Sequence, residues 1–366
     1  MKTKHTTLYI AALLASLTIT SCTNDLPVDQ NAEKDVLVMN GYIAADSTNN
    51  TIRIYQTGNQ HPIDIKDAIV TVNVNGEFKE TAKNQTNTIF TPEGETTEPT
   101  NTYLIKTPVK VGDVVRIDAQ TADGKYHAWV EETVPQPMEA VEKVDTSTVA
   151  NPFSSDYNGY PQLTCFKITI KDRPSESNFY QLVIDESLTD YIYSSYHDIF
   201  YTYPSTLTGY TGRNDVVLTD GNPTSGSEDD DGIISYTQGV ENRYGVFDDK
   251  RFANSSYTMT VYNNSSYYIT SPNYTIDAYI RFRSINETAF HYFKALNLYK
   301  SDNYDETLSG SMKFPSNVHD GTGIIVFSSE TNKVIRLSNA RLDEVKKQDG
   351  NYYGRANSVG VLPKGK

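Results

Sequence analysis

The sequence predicts a mainly β protein in two parts: an immunoglobulin-like β-sandwich over 35–134, then a larger antiparallel β domain over 138–342 carrying one packed α-helix. Three observations predict it. Short apolar/polar alternations recur along the chain with the period of two that a half-buried strand requires. Tight-turn pairs, Asn75-Gly76 and Asp123-Gly124, separate them. Only one stretch, near 285–300, spaces its apolar residues as a helix does.

In the first part, strands are expected at 36–43, 51–55, 68–74, 77–79, 102–106, 114–121 and 126–134. Residues 84–101 (NQTNTIFTPEGETTEPTN) are polar and read as a long loop. Trp129 reads as a core anchor. Val134-Pro135-Gln136-Pro137 breaks the strand pattern and sets the boundary, since proline cannot donate to a ladder.

The second part opens on polar sequence and then gives strands at 163–170, 179–186, 256–262, 266–271 and 274–284. Ser284-Ile285-Asn286-Glu287 fits a capping box, with Ala289, Phe293 and Leu296 on one helical face after it. Strands at 324–327 and 333–337 follow, and 343–366 reads as a flexible tail. The pattern leaves open whether this domain is a curved sheet or a partial barrel.

The N-terminus speaks to location. Lys2 and Lys4 precede an apolar run at 8–19, too short to span a bilayer, so 1–21 reads as a signal peptide. Ile19-Thr20-Ser21-Cys22 resembles the bacterial lipobox, whose cysteine is acylated and heads the mature chain. Cys22 is thus the candidate lipidation site, palmitate its marker, and 22–34 a tether lifting the body off the membrane. The other cysteine, Cys165, sits in an alternating strand and reads as a small buried hydrophobe.

Composition excludes some classes. The chain of 366 residues carries 46 acidic against 32 basic residues, a net charge of −14, with no basic stripe to neutralise phosphates. Nucleic acid is therefore not an expected partner, and acyl chains rather than charge must hold the membrane.

The acidic run 228–231, with Asp229, Asp230 and Asp231, offers hard oxygens to calcium, but its spacing is not an EF-hand's and a solvated loop is the expected reading. The histidines after Cys22 lack metal-ligand spacing, and no G-x-S-x-G elbow or phosphate-cradling loop is present. No metal, cofactor or catalytic residue is assigned, and a non-enzyme is expected. Tyrosine is the better clue, with 27 Tyr against one Trp. Tyr191, Tyr193, Tyr196, Tyr201, Tyr203 and Tyr210 crowd one stretch, interleaved with Ser, Thr, Gly and Pro. That composition suits either a recognition loop or a packed hairpin.

Taken in order, several landmarks resemble the DUF4249 family of uncharacterised Bacteroidota lipoproteins. They are the lipobox, Leu37-Val38-Met39-Asn40-Gly41-Tyr42-Ile43, Val111-Gly112-Asp113, and Thr121 through Tyr126. Val246 through Phe252, Ser284 through Tyr299, Phe314-Pro315-Ser316-Asn317-Val318 and Gly321-Thr322-Gly323-Ile324 complete the set. Two departures stand out: Val326-Phe327-Ser328-Ser329 replaces the family's second aromatic-glycine pattern, and 191–210 matches no part of it.

The resemblance implies an outer-membrane lipoprotein, often encoded near TonB-dependent receptors, with no catalytic residues assigned. The expectation is a non-catalytic binding or accessory component of TonB-dependent nutrient uptake, lipid-anchored to the outer membrane at the cell surface, with the periplasmic face as the alternative, its ligand unspecified. The alternatives are a structural or adhesive surface protein and, third, a surface hydrolase.

Overall fold

The structure, a computed structural model, describes residues 35–58, 61–91, 94–153, 160–222, 239–301, 304, 312–347 and 360–361. Residues 1–34, where the signal peptide, Cys22 and the tether are expected, lie outside them, as does the acidic run 228–231.

Strands come first in chain order: β1 (Leu37–Ala44), β2 (Asn50–Gln56), β3 (Ile63–Asp64), β4 (Ile69–Val74), β5 (Glu77–Thr81), β6 (Lys83–Thr91), β7 (Gly94–Ile105), β8 (Val114–Gln120) and β9 (His127–Thr133). After Pro137 follow β10 (Ala140–Ala150), β11 (Gln162–Lys171), β12 (Phe179–Ser194), β13 (Ile199–Thr208), β14 (Val246–Asp248) and β15 (Ser256–Asn263). Helix α1 (Ser266–Ile269), β16 (Tyr274–Ile285), α2 (Glu287–Tyr299), β17 (Gly321–Ser338), α3 (Leu342–Lys347) and β18 (Gly360–Val361) complete the described elements.

The fold is mainly β, and among the described residues no sheet closes into a barrel. One large sheet runs β18-β13-β12-β16-β17-β1-β2-β7-β6, with β14 on β12 and β3 on β2. At one end it packs against the four-stranded sheet β5-β4-β8-β9, and at the other against the three-stranded sheet β10-β11-β15. Alternation decides which side chains face inward. In β8, Val115, Ile117 and Ala119 are fully buried while Arg116 and Asp118 point out. In β16, Ala278, Ile280 and Phe282 are fully buried, whereas Tyr279 is exposed.

A single parallel pairing among the named strands, β1 with β17, joins the strands before Pro135 to those after it, from Leu37 opposite Gly321 to Ala44 opposite Ser328. Glycine is required at this seam. Gly323 has φ +106°, and a Cβ there would stand 2.3 Å from the carbonyl oxygen of Met39. Beside it, the Ile324 amide donates to Asn40 Oδ1 at 3.1 Å.

Five expectations are corrected. Residues 84–101 form the β6–β7 hairpin, not a loop. The ribbon has no buried face to demand apolar alternation, so its threonine-rich strands look like linker. Residues 266–271 begin as α1, not a strand: Ser265 Oγ and Ser266 Oγ donate to Thr164 Oγ1 (2.9 Å) and the Gln162 carbonyl (2.7 Å), local bonds that compete with a ladder.

Helix α2 is capped at Asn286, not Ser284, because β16 runs on to Ile285 and holds Ser284 opposite Ser329. Asn286 Oδ1 takes the Phe327 amide at 3.0 Å instead of a helical N–H. The stretch expected as a loose tail opens with α3, anchored by buried Val345, and Gly360–Val361 pairs with β13. Trp129 is not a core residue: flanked by fully buried Ala128 and Val130, it points outward by parity.

Candidate functional site

The tyrosine stretch is a hairpin whose tip stands clear of its sheet. The β12–β16 pairing ends at Asp190 opposite Tyr274, while β12 continues to Ser194 and returns as β13 from Ile199. Residues 191–202 therefore project past the end of β16, two-stranded except where Gly360–Val361 pairs with Tyr201 and Thr202. Its root is fixed where the Tyr191 amide donates to the Asn273 carbonyl (2.9 Å) and Asn273 Nδ2 returns a bond to the Tyr191 carbonyl (3.0 Å).

Strand parity sorts the six tyrosines. Tyr191 lies opposite Thr202 and Tyr193 opposite Phe200, so these four share one face. Tyr193 and Phe200 rings sit 5.2 Å apart, with Lys346 Nζ of α3 lying 5.4 and 5.6 Å from them. Tyr201 and Tyr203, opposite Ile192 and Asp190, share the other face with Tyr274, which meets Tyr268 edge-on at 5.1 Å.

At the turn Tyr193 donates to Asp198 Oδ1 (2.8 Å), Tyr201 pairs with His197 Nδ1 (3.4 Å), and Tyr196 stands 89% exposed against the His197 ring. Tyr210 is not on this surface. It packs into the second core with its hydroxyl toward the Leu182 carbonyl (3.4 Å), and burial, then Asp215, pushes that hydroxyl above its ordinary range. The stretch is a hairpin, packed at its root and ending in an exposed aromatic tip.

Around the hairpin, buried polar groups are structural. Asp215 accepts from the Val217 (3.0 Å), Leu218 (3.3 Å) and Thr260 (2.8 Å) amides and from Tyr257 Oη (3.2 Å), clamping 211–222 onto β15. Glu186, 1% exposed on the inward face of β12, takes Asn263 Nδ2 on Oε1 at 2.7 Å while Oε2 has no partner among the described residues; burial raises its pKa, against the Asn263 bond. Cys165 is buried as expected, its thiol pushed up chiefly by burial.

No group of three or more His, Cys, Asp or Glu among the described residues is placed to hold a metal ion. Asp229, Asp230 and Asp231 fall outside them. The recess lined by Tyr210, Arg213, Glu241 and Arg243 holds only about 40 Å³. A wider, open groove of about 500 Å³ runs beside the β6–β7 ribbon between Asp64, Lys66, Asn87, Glu98 and Asn101.

A second aromatic site is one that sequence reading missed. Trp129 is sandwiched on the outer face of the four-stranded sheet, His319 stacked at 4.1 Å and Arg116 Cζ 4.0 Å from its ring, with Nε1 donating to Asp320 Oδ2 at 3.2 Å. The parity of Ala128 and Val130 was the signal that could have revealed its outward aim.

In comparisons with known proteins, the family pattern described as "Domain of unknown function (DUF4249)" matches residues 23–334. No curated protein matches the chain. Among solved structures, one titled "Biofilm associated protein - B domain" aligns over 81% of this chain and 85% of that one, at 7% identity and a TM-score of 0.15, too slight a likeness to carry an argument.

Proposed function

This chain belongs to the DUF4249 family, and on that premise we propose that it is an outer-membrane lipoprotein, held by acyl chains on Cys22, that captures a protein partner without catalysing a reaction. The observation that carries the reading is the projecting ribbon at 191–202. It presents Tyr196, 89% exposed, and flanks it with Tyr193, His197, Phe200 and Tyr201, each ring tied by a local contact. Rigid aromatic rings with polar ends give large contact area at small entropic cost, the chemistry of a protein-recognition tip.

The lipobox-like Ile19-Thr20-Ser21-Cys22 supports the anchor, and no helix among the described residues is long and apolar enough to cross a membrane. The partner we propose is a TonB-dependent transporter. That choice rests on the family resemblance, and the accessory role in nutrient uptake follows from it.

Capture from solubilised outer membranes tests the reading. The wild-type protein retains a transporter; Tyr196→Ala with Tyr201→Ala loses it while keeping a native circular-dichroism spectrum. Undiminished capture by the folded double variant contradicts the assignment of this surface.

A further inference from the structure

We propose that β6 is a strand-addition edge that pairs two copies of this chain. An unpaired strand edge is a template for another strand, and proteins normally blunt it with charge, proline, a bulge or a cover. The other edge strands of the three sheets carry such devices. On β9, Trp129 exchanges backbone bonds with His319 (3.1 and 2.7 Å). On β15, Tyr262 exchanges bonds with Thr211 (2.7 and 3.0 Å) and the Thr260 amide is taken by Asp215. β10 is bulged at Val141/Lys143, carries Glu142, Lys143 and Asp145, and has Lys333 Nζ on the Glu142 carbonyl at 2.7 Å. β5 is short and bears Glu77, Lys79 and Glu80. β13 is covered by Gly360–Val361 at Tyr201 and Thr202 and interrupted by Pro204.

From Thr86 onward β6 has none of these: its irregularity against β7 falls at Asn84/Thr86, and its one charge, Lys83, opens the strand. From Asn84 to Thr91 it contains no charge and no proline, its residues 85–90 are exposed, and Phe90 is 77% exposed. Among the described residues only β7 pairs with it.

The partner across the hairpin fixes which backbone groups are free. Thr86 faces Pro99, which has no N–H, so this is a pair whose backbone groups point away from each other. By alternation Thr86, Thr88 and Phe90 direct their N–H and C=O outward. A second copy added antiparallel about Thr88 sets Thr88 against Thr88 and Thr86 against Phe90, each pair exchanging backbone bonds.

That register is self-complementary, as a two-fold interface must be. It also sets Phe90 of each copy beside a threonine of the other. The net charge of −14 does not oppose it. Apart from Lys83 at the start of β6, the nearest described charges, Glu95 and Glu98 of β7, lie one strand behind the seam. Their counterparts are then three strand spacings away, about 14 Å, beyond the screening length of about 8 Å at physiological ionic strength.

The test uses the full chain. Wild-type protein should show a concentration-dependent monomer–dimer equilibrium in analytical ultracentrifugation. On a Cys22→Ser background, Thr88→Cys should oxidise to a covalent homodimer at least about tenfold more than Thr97→Cys on β7, since opposed strand positions lie within disulfide reach. Thr88→Pro removes only an outward N–H, so the hairpin keeps its ladder and the dimer is lost; Thr88→Lys should do the same by charge. A strictly monomeric wild type, a dimer that survives in folded Thr88→Pro and Thr88→Lys, or equal cross-linking at 88 and 97 would each overturn the proposal. So would pairing of β6 only with a foreign extended peptide.

Discussion

His319 lies flat on Trp129, their ring centroids 4.1 Å apart and their planes 18° from parallel, while the two residues also exchange backbone bonds. Arg116 sits near the same ring, bonded bidentately to Asp118 (2.9 and 2.8 Å). The stack ties the segment leading into β17 to the outer face of the N-terminal sandwich.

Trp129→Ala should cost about 2 kcal/mol, combining lost stacking and the cation–π contact, with His319→Ala costing about 1 kcal/mol. Urea denaturation measures both. Because Trp129 is the chain's single tryptophan, its emission should also move to longer wavelength in His319→Ala. An unshifted spectrum would show that the ring is not covered by His319 in solution.

At Asp215, replacement by Asn turns one of two accepting oxygens into a donor facing amide N–H groups of Val217, Leu218 or Thr260. The expected loss is about 2–4 kcal/mol, the cost of unsatisfied buried groups, and the Thr260 amide should lose hydrogen-exchange protection. Wild-type protection in the variant would contradict the clamp.

Glu186 gives a pH dependence with a definite sign. Burial raises its folded pKa above the unfolded value, so the folded state holds the proton more tightly. Its contribution is complete below the ordinary carboxylate range and is lost as pH rises through the folded pKa. Glu186→Gln mimics the protonated form, so the variant should be more stable than wild type at pH 8, a gap that closes toward pH 4. A variant less stable than wild type at pH 8 would refute the assignment.

The parallel seam is tested at Gly323. Alanine there must adopt φ +106° with its Cβ against the Met39 carbonyl, so the β1–β17 register must shift. The expected cost is about 3 kcal/mol, from backbone strain and steric clash together, against little change for Gly76→Ala beyond its own turn strain, where nothing stands within 4 Å.

What the sequence disclosed follows from what each signal depends on. Core strands such as β8 and β16 were readable because burial on one face imposes a period of two. The β6–β7 ribbon was not, because a hairpin without a buried face has no such period. The pairing of β1 with β17 joins residues nearly three hundred positions apart, and nothing local to either strand encodes the partner. The tyrosine stretch stands out by composition, but composition does not separate Tyr210, which goes into the core, from Tyr196, which goes into solvent. Trp129 departs from the buried aromatic its residue type suggests because fully buried Ala128 and Val130 leave it the outward position.

Replacing Tyr196 with a photo-cross-linking residue in cells tests the ribbon and the anchor together. Illumination should yield a covalent adduct with one outer-membrane protein, and Cys22→Ala should abolish both palmitate labelling and the adduct. If folded, palmitate-labelled protein gave no adduct from position 196, capture by the tyrosine tip would be contradicted; if the Cys22→Ala protein still labelled with palmitate, the anchor would be.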